Sequence, residues 1–302
     1  MPDLNALILF AKVIEAGSFS DAARRLGMPV STVSRRVAEL ESHLEVRLIE
    51  RSTRRLRLTD VGADVLREAQ RGREVGESVD AIVSNHRSEP SGLLRVAAPP
   101  SISESILAPV ICAFQTRYPE VRIQVFVTER FVDFVSEGVD VAFDVGSATA
   151  PELESRRILT YRHRLLASPA YLATASVPAT PEALLEHSLL AFSYWTAENT
   201  WNFVHANGSG RKTVRFRPQF SMNDYLGLTH ALLAGAGIGE LPPIVRPDLV
   251  RDGSLVEVMP MWQFRAVDLS LVHLRNRYLP RPVRLFIDFV SEAITARFPA
   301  LA

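Results

Sequence analysis

The sequence predicts an α/β protein in three parts: an N-terminal winged helix-turn-helix, a long linker helix, and a C-terminal two-lobed α/β domain. Three observations predict it. Residues 18–41 read as two short amphipathic helices broken at Gly27-Met28-Pro29. Residues 60–85 carry one apolar seam among charges. From Leu93 onward strand-like runs alternate with helical ones, the pattern of a mainly parallel sheet.

Bulk composition sets the bounds. The chain has 302 residues, enough for two or three compact units, and 47 % are hydrophobic, enough for real cores. Lys+Arg and Asp+Glu balance at 34 each, which argues against a wholly basic coat but not against a local basic patch. Cys112 is the single cysteine, so no internal disulfide forms, and a reducing cytoplasm suits the chain. Lys12 and Glu15 interrupt the apolar N-terminus and no basic leader precedes it, so no secretory signal is expected. No run of eighteen or more uncharged apolar residues is seen, so no membrane partner is expected.

Leu4, Leu7, Ile8, Ala11 and Ile14 recur at helical spacing and predict a first helix ending near Gly17. A second follows Ser18, with Ala22, Ala23 and Leu26 inward, and Gly27 ends it. Ser31 is the expected N-cap of a third helix. Val33, Val37, Leu40 and Leu44 fix its buried face, so Ser31, Thr32, Ser34, Arg35 and Ala38 lie outward or to the side. Small polar residues with a forked arginine let a helix sit deep in a major groove, and the pattern fits a helix-turn-helix whose second helix reads DNA. Leu48-Ile49 and Leu56-Arg57-Leu58 read as short strands around the turn Ser52-Thr53-Arg54-Arg55, a wing suited to phosphate or minor-groove contact. Between Arg24 and Arg57 stand nine arginines against four glutamates, so the basic excess is local.

Thr59-Asp60 caps the expected long helix, which runs to about Asn85. A narrow apolar seam on a helix standing off its domain pairs with another helix. Gly72 and Gly76 share a face; they either permit close helix approach or merely loosen the helix. Arg87 to Gly92 is short, polar and helix-breaking, and reads as a hinge.

In the remainder, LLRVAA is a strand and the helix after it is opened by Ser101 or Ser103. IQVFVT, FVDFVSEG and VDVAFDVG read as strand, helix and strand. RHRLLASPAYL is a strand then a turn-helix, and LLAFSYW, TWNFVHA and TVRFRPQFSM are strands of a second lobe. YLGLTHALL is a helix, GIGELP and DLSLVHL are strands, and a last helix covers about Pro282 to Phe298.

Other motifs carry no chemistry. GSGRKT lacks phosphate-loop spacing and sits between strands, so it is a hairpin turn; GAGIG follows a helix and leads into a strand. The seven histidines show no metal-ligand spacing, and no nucleophile elbow or Ser/His/Asp set is present, so neither a metal, a cofactor nor an enzyme is expected. Cys112, inside an apolar helical run, is expected to be a buried thiol.

These residues carry a family resemblance. GSFSDAARRLGMPVSTVSRRVAELESHLEVRLIERSTRRLRLTDVG closely resembles the N-terminal domain of LysR-type transcriptional regulators, over residues 3–62. LLASPAYLA, GAGIGELP, RPDLVRDGSLVEVMPMW and VRLFIDFVSEAI resemble the same family's effector domain, which is similar in fold to periplasmic solute-binding proteins. The subgroup looks closest to that typified by a meningococcal adhesion-gene regulator.

The resemblance implies DNA contact by Ser31, Thr32, Ser34, Arg35, Arg36 and, on the wing, Arg54. It implies a DNA-binding domain at 1–59, a dimerising linker helix at 60–86, a hinge at 87–92 and an effector domain at 93–302. Lobe I then takes about 93–160 and 267–302, and lobe II about 161–266. It further implies promoter DNA, RNA polymerase and a small-molecule effector as partners, in a homodimer or homotetramer. In such a fold ligands bind where strand ends and helix starts of the two lobes meet. The expected effector contacts are Pro100, Ser101, Ile102, Thr128, Asp144 and Gly146 from lobe I, and Ser193, Met222, Asn223 and Glu240 from lobe II. Helix starts and hydroxyls there suit an anion such as a small carboxylate. Relatives of the resembled subgroup commonly carry arginine at Asp144; the reversed charge either points to a cationic or neutral polar effector, or Asp144 pairs with a neighbouring arginine or points away from the cleft. The competing readings are a solute-binding protein and an α/β enzyme without a DNA role.

Overall fold

The structure is a computed structural model of the chain. It describes residues 2–51, 56–85, 89–146, 150–194, 196–275 and 279–298. The chain divides into two compact units: Met1–Ser91 with Val132–Val139 and Asn276–Arg284, and Gly92–Phe131 with Asp140–Arg275 and Leu285–Ala302.

The first unit opens with three helices, α1 (Leu4–Ala16), α2 (Phe19–Leu26) and α3 (Val30–Leu44). Gly17 and Gly27, at φ 69° and 63°, close α1 and α2 in the left-handed conformation that costs glycine little. Ser18 caps α2, its Oγ accepting from the Asp21 amide at 3.0 Å. Ser31 does not cap α3. Pro29 takes that position at φ −61° and ψ 141°, and its carbonyl accepts from Thr32 and Val33. The ring sets the entry angle, so no side-chain cap forms and the Ser31 and Thr32 hydroxyls are left for other work.

The core joins Leu9, Phe10 and Val13 of α1 with Ala22, Ala23, Val33, Val37, Leu40, Leu48 and Ile49. The expected α1 seam is rotated: Leu4 is 47 % exposed, while Leu9 and Phe10 are buried. The reason is that α1 packs against α4 (Asp60–Asn85) as well as α2 and α3. The wing strands β1 (Ile49–Arg51) and β2 (Leu56–Leu58) pair antiparallel, Ile49 opposite Leu58. The turn at 52–55, Arg54 included, lies outside the described residues.

Two polar side chains tie the wing down. The Glu41 Oε1 accepts from the amides of Leu48 and Ile49 at 2.8 and 3.1 Å. Thr59 Oγ1 donates to the Arg47 carbonyl at 2.7 Å and accepts from the Gly62 amide at 2.9 Å, capping α4. A Cβ at Gly62 would stand 2.1 Å from the Leu48 carbonyl oxygen, so helix and wing meet there at backbone contact.

The second unit holds the α/β region other than Val132–Val139 and Asn276–Arg284, which cluster with the first unit. In chain order the elements are β3 (Gly92–Ala98), α5 (Pro100–Ile102), a π turn (Ser103–Leu107), α6 (Ala108–Arg117), β4 (Val121–Val127), α7 (Phe134–Glu137) and β5 (Val141–Val145). There follow β6 (Leu153–Tyr161), β7 (Arg164–Ala167), α8 (Pro169–Thr174), β8 (Leu189–Phe192), β9 (Asn199–His205), β10 (Arg211–Phe216) and β11 (Phe220–Met222). The chain closes with α9 (Tyr225–Leu233), β12 (Ile238–Leu241), α10 (Asp248–Arg251), β13 (Val256–Glu257), β14 (Trp262–Phe264), β15 (Val267–Leu274) and α11 (Arg281–Arg297).

One five-stranded sheet has the order β4-β3-β5-β15-β6, with β3 parallel to both β4 and β5. A second has the order β11-β8-β12-β7-β13, and β10-β9-β14 forms a smaller antiparallel sheet. The chain passes from the first sheet to the others between Tyr161 and Arg164, and returns between Phe264 and Val267. In the first lobe Phe114 of α6 meets Phe286 of α11 edge-on at 5.2 Å. The second lobe is centred on Trp201, Phe203, Phe216 and Phe264.

The structure corrects several expectations. Neither Ser101 nor Ser103 opens the helix after β3; Pro99 is the cap and Pro100 the first helical residue. FVDFVSEG holds a single turn, Phe134–Glu137. Cys112 is exposed, because α6 buries Val110 and Phe114, four apart, and so turns Cys112 outward. Among the described residues no helix is long and apolar enough to cross a membrane.

Candidate functional site: nucleic-acid interface and ligand cleft

On α3 the buried Val33, Val37 and Leu40 leave a polar outer side. Ser31, Arg35 and Arg36 are exposed there, and Thr32 and Ser34 half-buried. Arg35 Nη1 meets Glu39 Oε1 at 2.8 Å, with both side chains more than half exposed. An exposed pair at this spacing is worth about 0.3–0.5 kcal/mol. A bidentate contact to a base edge is worth about 1–3 kcal/mol, more than such a pair holds. Arg36 has no ion pair among the described residues.

In the second unit the parallel strands β4, β3 and β5 bring their carboxyl ends to one edge. Pro100 and Ser101 stand there, partly exposed. Ile102 does not join them: it is fully buried and its side chain belongs to the core. Thr128 accepts from the Arg130 amide at 3.2 Å. Gly146, at φ 119°, donates its amide to the Asp268 carbonyl at 2.8 Å. Asp144 is half-buried, and burial holds its carboxyl above the usual aspartate range.

The other lobe supplies Ser193, buried, whose Oγ bonds Thr196 Oγ1 and whose amide donates to the Met222 carbonyl at 3.2 Å. Met222 lays its sulfur against Gly227, where a Cβ would come within 2.1 Å, so the thioether packs on α9. Asn223 is exposed. Glu240 Oε2 lies 3.2 Å from His163 Nδ1, with little of either side chain exposed, so this carboxylate already has a partner.

The sequence reading passed over the residues that join the lobes. Glu129, which follows Thr128, accepts from the Tyr194 hydroxyl at 3.3 Å across the cleft. Burial raises the Glu129 carboxyl above its usual range, the Tyr194 bond opposes that, and Asp224 adds to it. Burial, then the Glu129 charge, pushes Tyr194 up to about 12, so its hydroxyl keeps its proton at neutral pH. Phe192 stacks on Tyr225 at 4.4 Å and meets Tyr194 edge-on at 5.6 Å. Glu129, Phe192 and Tyr194 each lie beside a residue the sequence did single out, but only the fold shows that Glu129 and Tyr194 face each other. Among the described residues no group of His, Cys, Asp or Glu side chains is arranged for a metal.

Residues 4–63 match the model of the bacterial regulatory helix-turn-helix protein, lysR family. Residues 87–295 match the LysR substrate binding domain. The chain belongs to the LysR family of transcriptional regulators. This LysR-family chain is 32 % identical over 290 residues to the regulator CrgA of Neisseria meningitidis, covering 95 % of itself and 96 % of CrgA. It is 30 % identical to the probable regulator LtrA of Klebsiella pneumoniae, covering 98 % and 95 % of the two chains. The full-length structure of the Vibrio cholerae virulence activator AphB superposes with a TM-score of 0.64 at 30 % identity, over 95 % of this chain and 98 % of that one. The CrgA structure gives a TM-score of 0.63, over 97 % and 99 %. An N-terminal helix-turn-helix followed by a two-lobed effector-binding domain is thus a DNA-binding regulator, in preference to a solute-binding protein or an α/β enzyme. The family consists of transcriptional regulators rather than enzymes.

Proposed function

We propose that this regulator reads promoter DNA with Ser31, Thr32, Ser34, Arg35 and Arg36 on α3, and touches phosphate or the minor groove with Arg54 on the wing. It works in the cytoplasm, without catalytic activity, as a homodimer or homotetramer joined through the 60–86 helix. The hinge at 87–92 leads to the effector domain at 93–302, with lobe I at about 93–160 and 267–302 and lobe II at about 161–266. A small molecule between the lobes, bounded by Pro100, Ser101, Thr128, Asp144 and Gly146 on one side and Ser193, Met222, Asn223 and Glu240 on the other, shifts the oligomer between two arrangements. That changes the spacing and bend of bound DNA, and with it contact with RNA polymerase.

The observation that carries this reading is the outer side of α3: short polar residues beside an arginine held only by an exposed pair. Such a surface brings short side chains to a groove, and its hydroxyl and guanidinium donors can exchange their water for base and phosphate acceptors. The test is a footprint of the purified protein on DNA upstream of its own gene, with Arg35→Ala beside it at fixed salt. The expected result is a protected, partly palindromic site that the variant loses. Absence of any specific site there and in a genome-wide binding map would overturn the reading.

A further inference from the structure

Both crossovers between the lobes border a cavity of about 440 Å³ that lies wholly within the second unit. That volume falls in the range, roughly 300–1,000 Å³, in which proteins hold small molecules. Arg162, His163 and Arg164 line it from the first crossover and Ala266 from the second. None of the residues expected to contact an effector in the interlobe cleft borders it.

The lining carries two guanidinium groups against one carboxylate, Glu257. His163 is already engaged, its Nδ1 lying 3.2 Å from Glu240 Oε2. Arg162 donates from Nη1 to the Phe264 carbonyl at 2.9 Å, and among the described residues it has no carboxylate partner. Arg164 Nε stands 3.9 Å from Glu257 Oε2, beyond hydrogen-bond reach, with both side chains more than a third exposed. Such a pair is worth no more than about 1 kcal/mol, whereas a guanidinium fork matches an oxyanion with two parallel bonds.

Arginines at a surface are ordinarily just solvated. These two border an apolar wall as well. Leu165 and Val258 of that wall are buried core residues, and Trp262 beside them is half-buried. The indole is held in place: His205 meets it edge-on at 4.9 Å, and a Cβ on Gly210 would stand 3.4 Å from the ring. A ring already fixed gives up little side-chain freedom when a flat group packs on it.

We propose that this cavity is a second ligand site, for an organic anion whose oxyanion head is held by Arg162 and Arg164 and whose flat apolar body packs on the wall at Trp262. The site is separate from the interlobe cleft and does not rest on the effector reading.

The test uses the full chain and three matched probes: 2-naphthoate, 2-naphthyl phosphate and the neutral 2-naphthamide. Calorimetric titration at neutral pH is expected to show at least one anion binding about tenfold or more tighter than the amide, and the tighter anion identifies the head group. Arg164→Gln is expected to weaken that anion by about tenfold with the melting temperature unchanged. Glu257→Gln removes the competing carboxylate and is expected to tighten it by about two- to fivefold. Amide binding as tight as that of both anions, affinity untouched in Arg164→Gln, a loss in Glu257→Gln, or no binding of either anion would overturn the inference. Thr128→Val alters the interlobe cleft instead. A loss there that Arg164→Gln does not share would put the anion in the cleft and overturn the second site.

Discussion

Arg35 is held to Glu39 by a bond that costs little to break, and this makes it a suitable side chain to give up to DNA. Arg35→Ala should therefore leave folding stability within about 0.5 kcal/mol and weaken operator binding by about 1–3 kcal/mol. Thermal melting and fluorescence anisotropy at one salt concentration check the two halves. Glu39→Gln is the informative partner: it frees Arg35 and should leave DNA affinity equal or higher, and a loss there would mean the pair positions the arginine. Gly62 is a different kind of residue. It lies inside α4, and a methyl group at its Cα would meet the Leu48 carbonyl, which is backbone and cannot turn aside. Gly62→Ala should destabilise the first unit by about 2 kcal/mol or more, read as a lower melting temperature and faster proteolysis of that unit. An unchanged melt would show that the corner between wing and helix yields. In the sequence Gly62 stands out only as one letter of a resembled stretch, because the contact that requires it comes from a residue fourteen positions earlier.

At the scale of elements, α4 keeps part of its seam for its own domain and leaves part open. Val65, Leu66 and the buried Ala69 pack inward, and Leu4 of α1 lies where a Cβ on Gly72 would stand. Gly76 has nothing within 4 Å, while Val75 and Val79 are 64 % and 54 % exposed. Gly72 thus admits a neighbour from its own chain, and on the proposed joining through this helix the open valines are the surface a second copy would cover. Burying such a side chain is worth about 1.5–3 kcal/mol. Val75→Glu with Val79→Glu should shift the protein to monomer in analytical ultracentrifugation and weaken binding to a two-half-site operator more than to a half-site. A double variant that stays dimeric would place the interface elsewhere. Most elements were legible because their faces differ: α3 by its valine and leucine spacing, β3 and β5 by short apolar runs. β6 was not, since as an edge strand it exposes Glu154, Ser155, Arg156 and Arg157 in succession and shows no alternation. The cap of α3 was misassigned because a serine signals a cap by its hydroxyl, whereas Pro29 sets the same turn by its ring.

For the molecule as a whole, sequence order alone located the strand ends, which is why Thr128, Asp144 and Ser193 could be placed at the ends of β4, β5 and β8 beforehand. It could not reveal that Glu129 meets Tyr194, since the two come from different sheets and their approach depends on both crossovers between the lobes. Nor could it tell that Ile102 is fully buried, because one turn of helix decides which of three adjacent residues faces in. Effector control makes one demand that needs no picture of the intermediate states. If a ligand in the cleft changes operator affinity by some factor, operator DNA must change the affinity for that ligand by the same factor, and such couplings typically run about 5–150-fold. A cleft ligand found by screening against the footprint can be titrated into the protein alone and into the protein saturated with operator duplex, and operator affinity measured with and without saturating ligand. Equal factors above unity, in the same direction, are the expected result. Factors of one in both experiments would mean the ligand occupies the cleft without regulating. Unequal factors would break the cycle and show that a further equilibrium, such as a change of oligomer, differs between the two titrations.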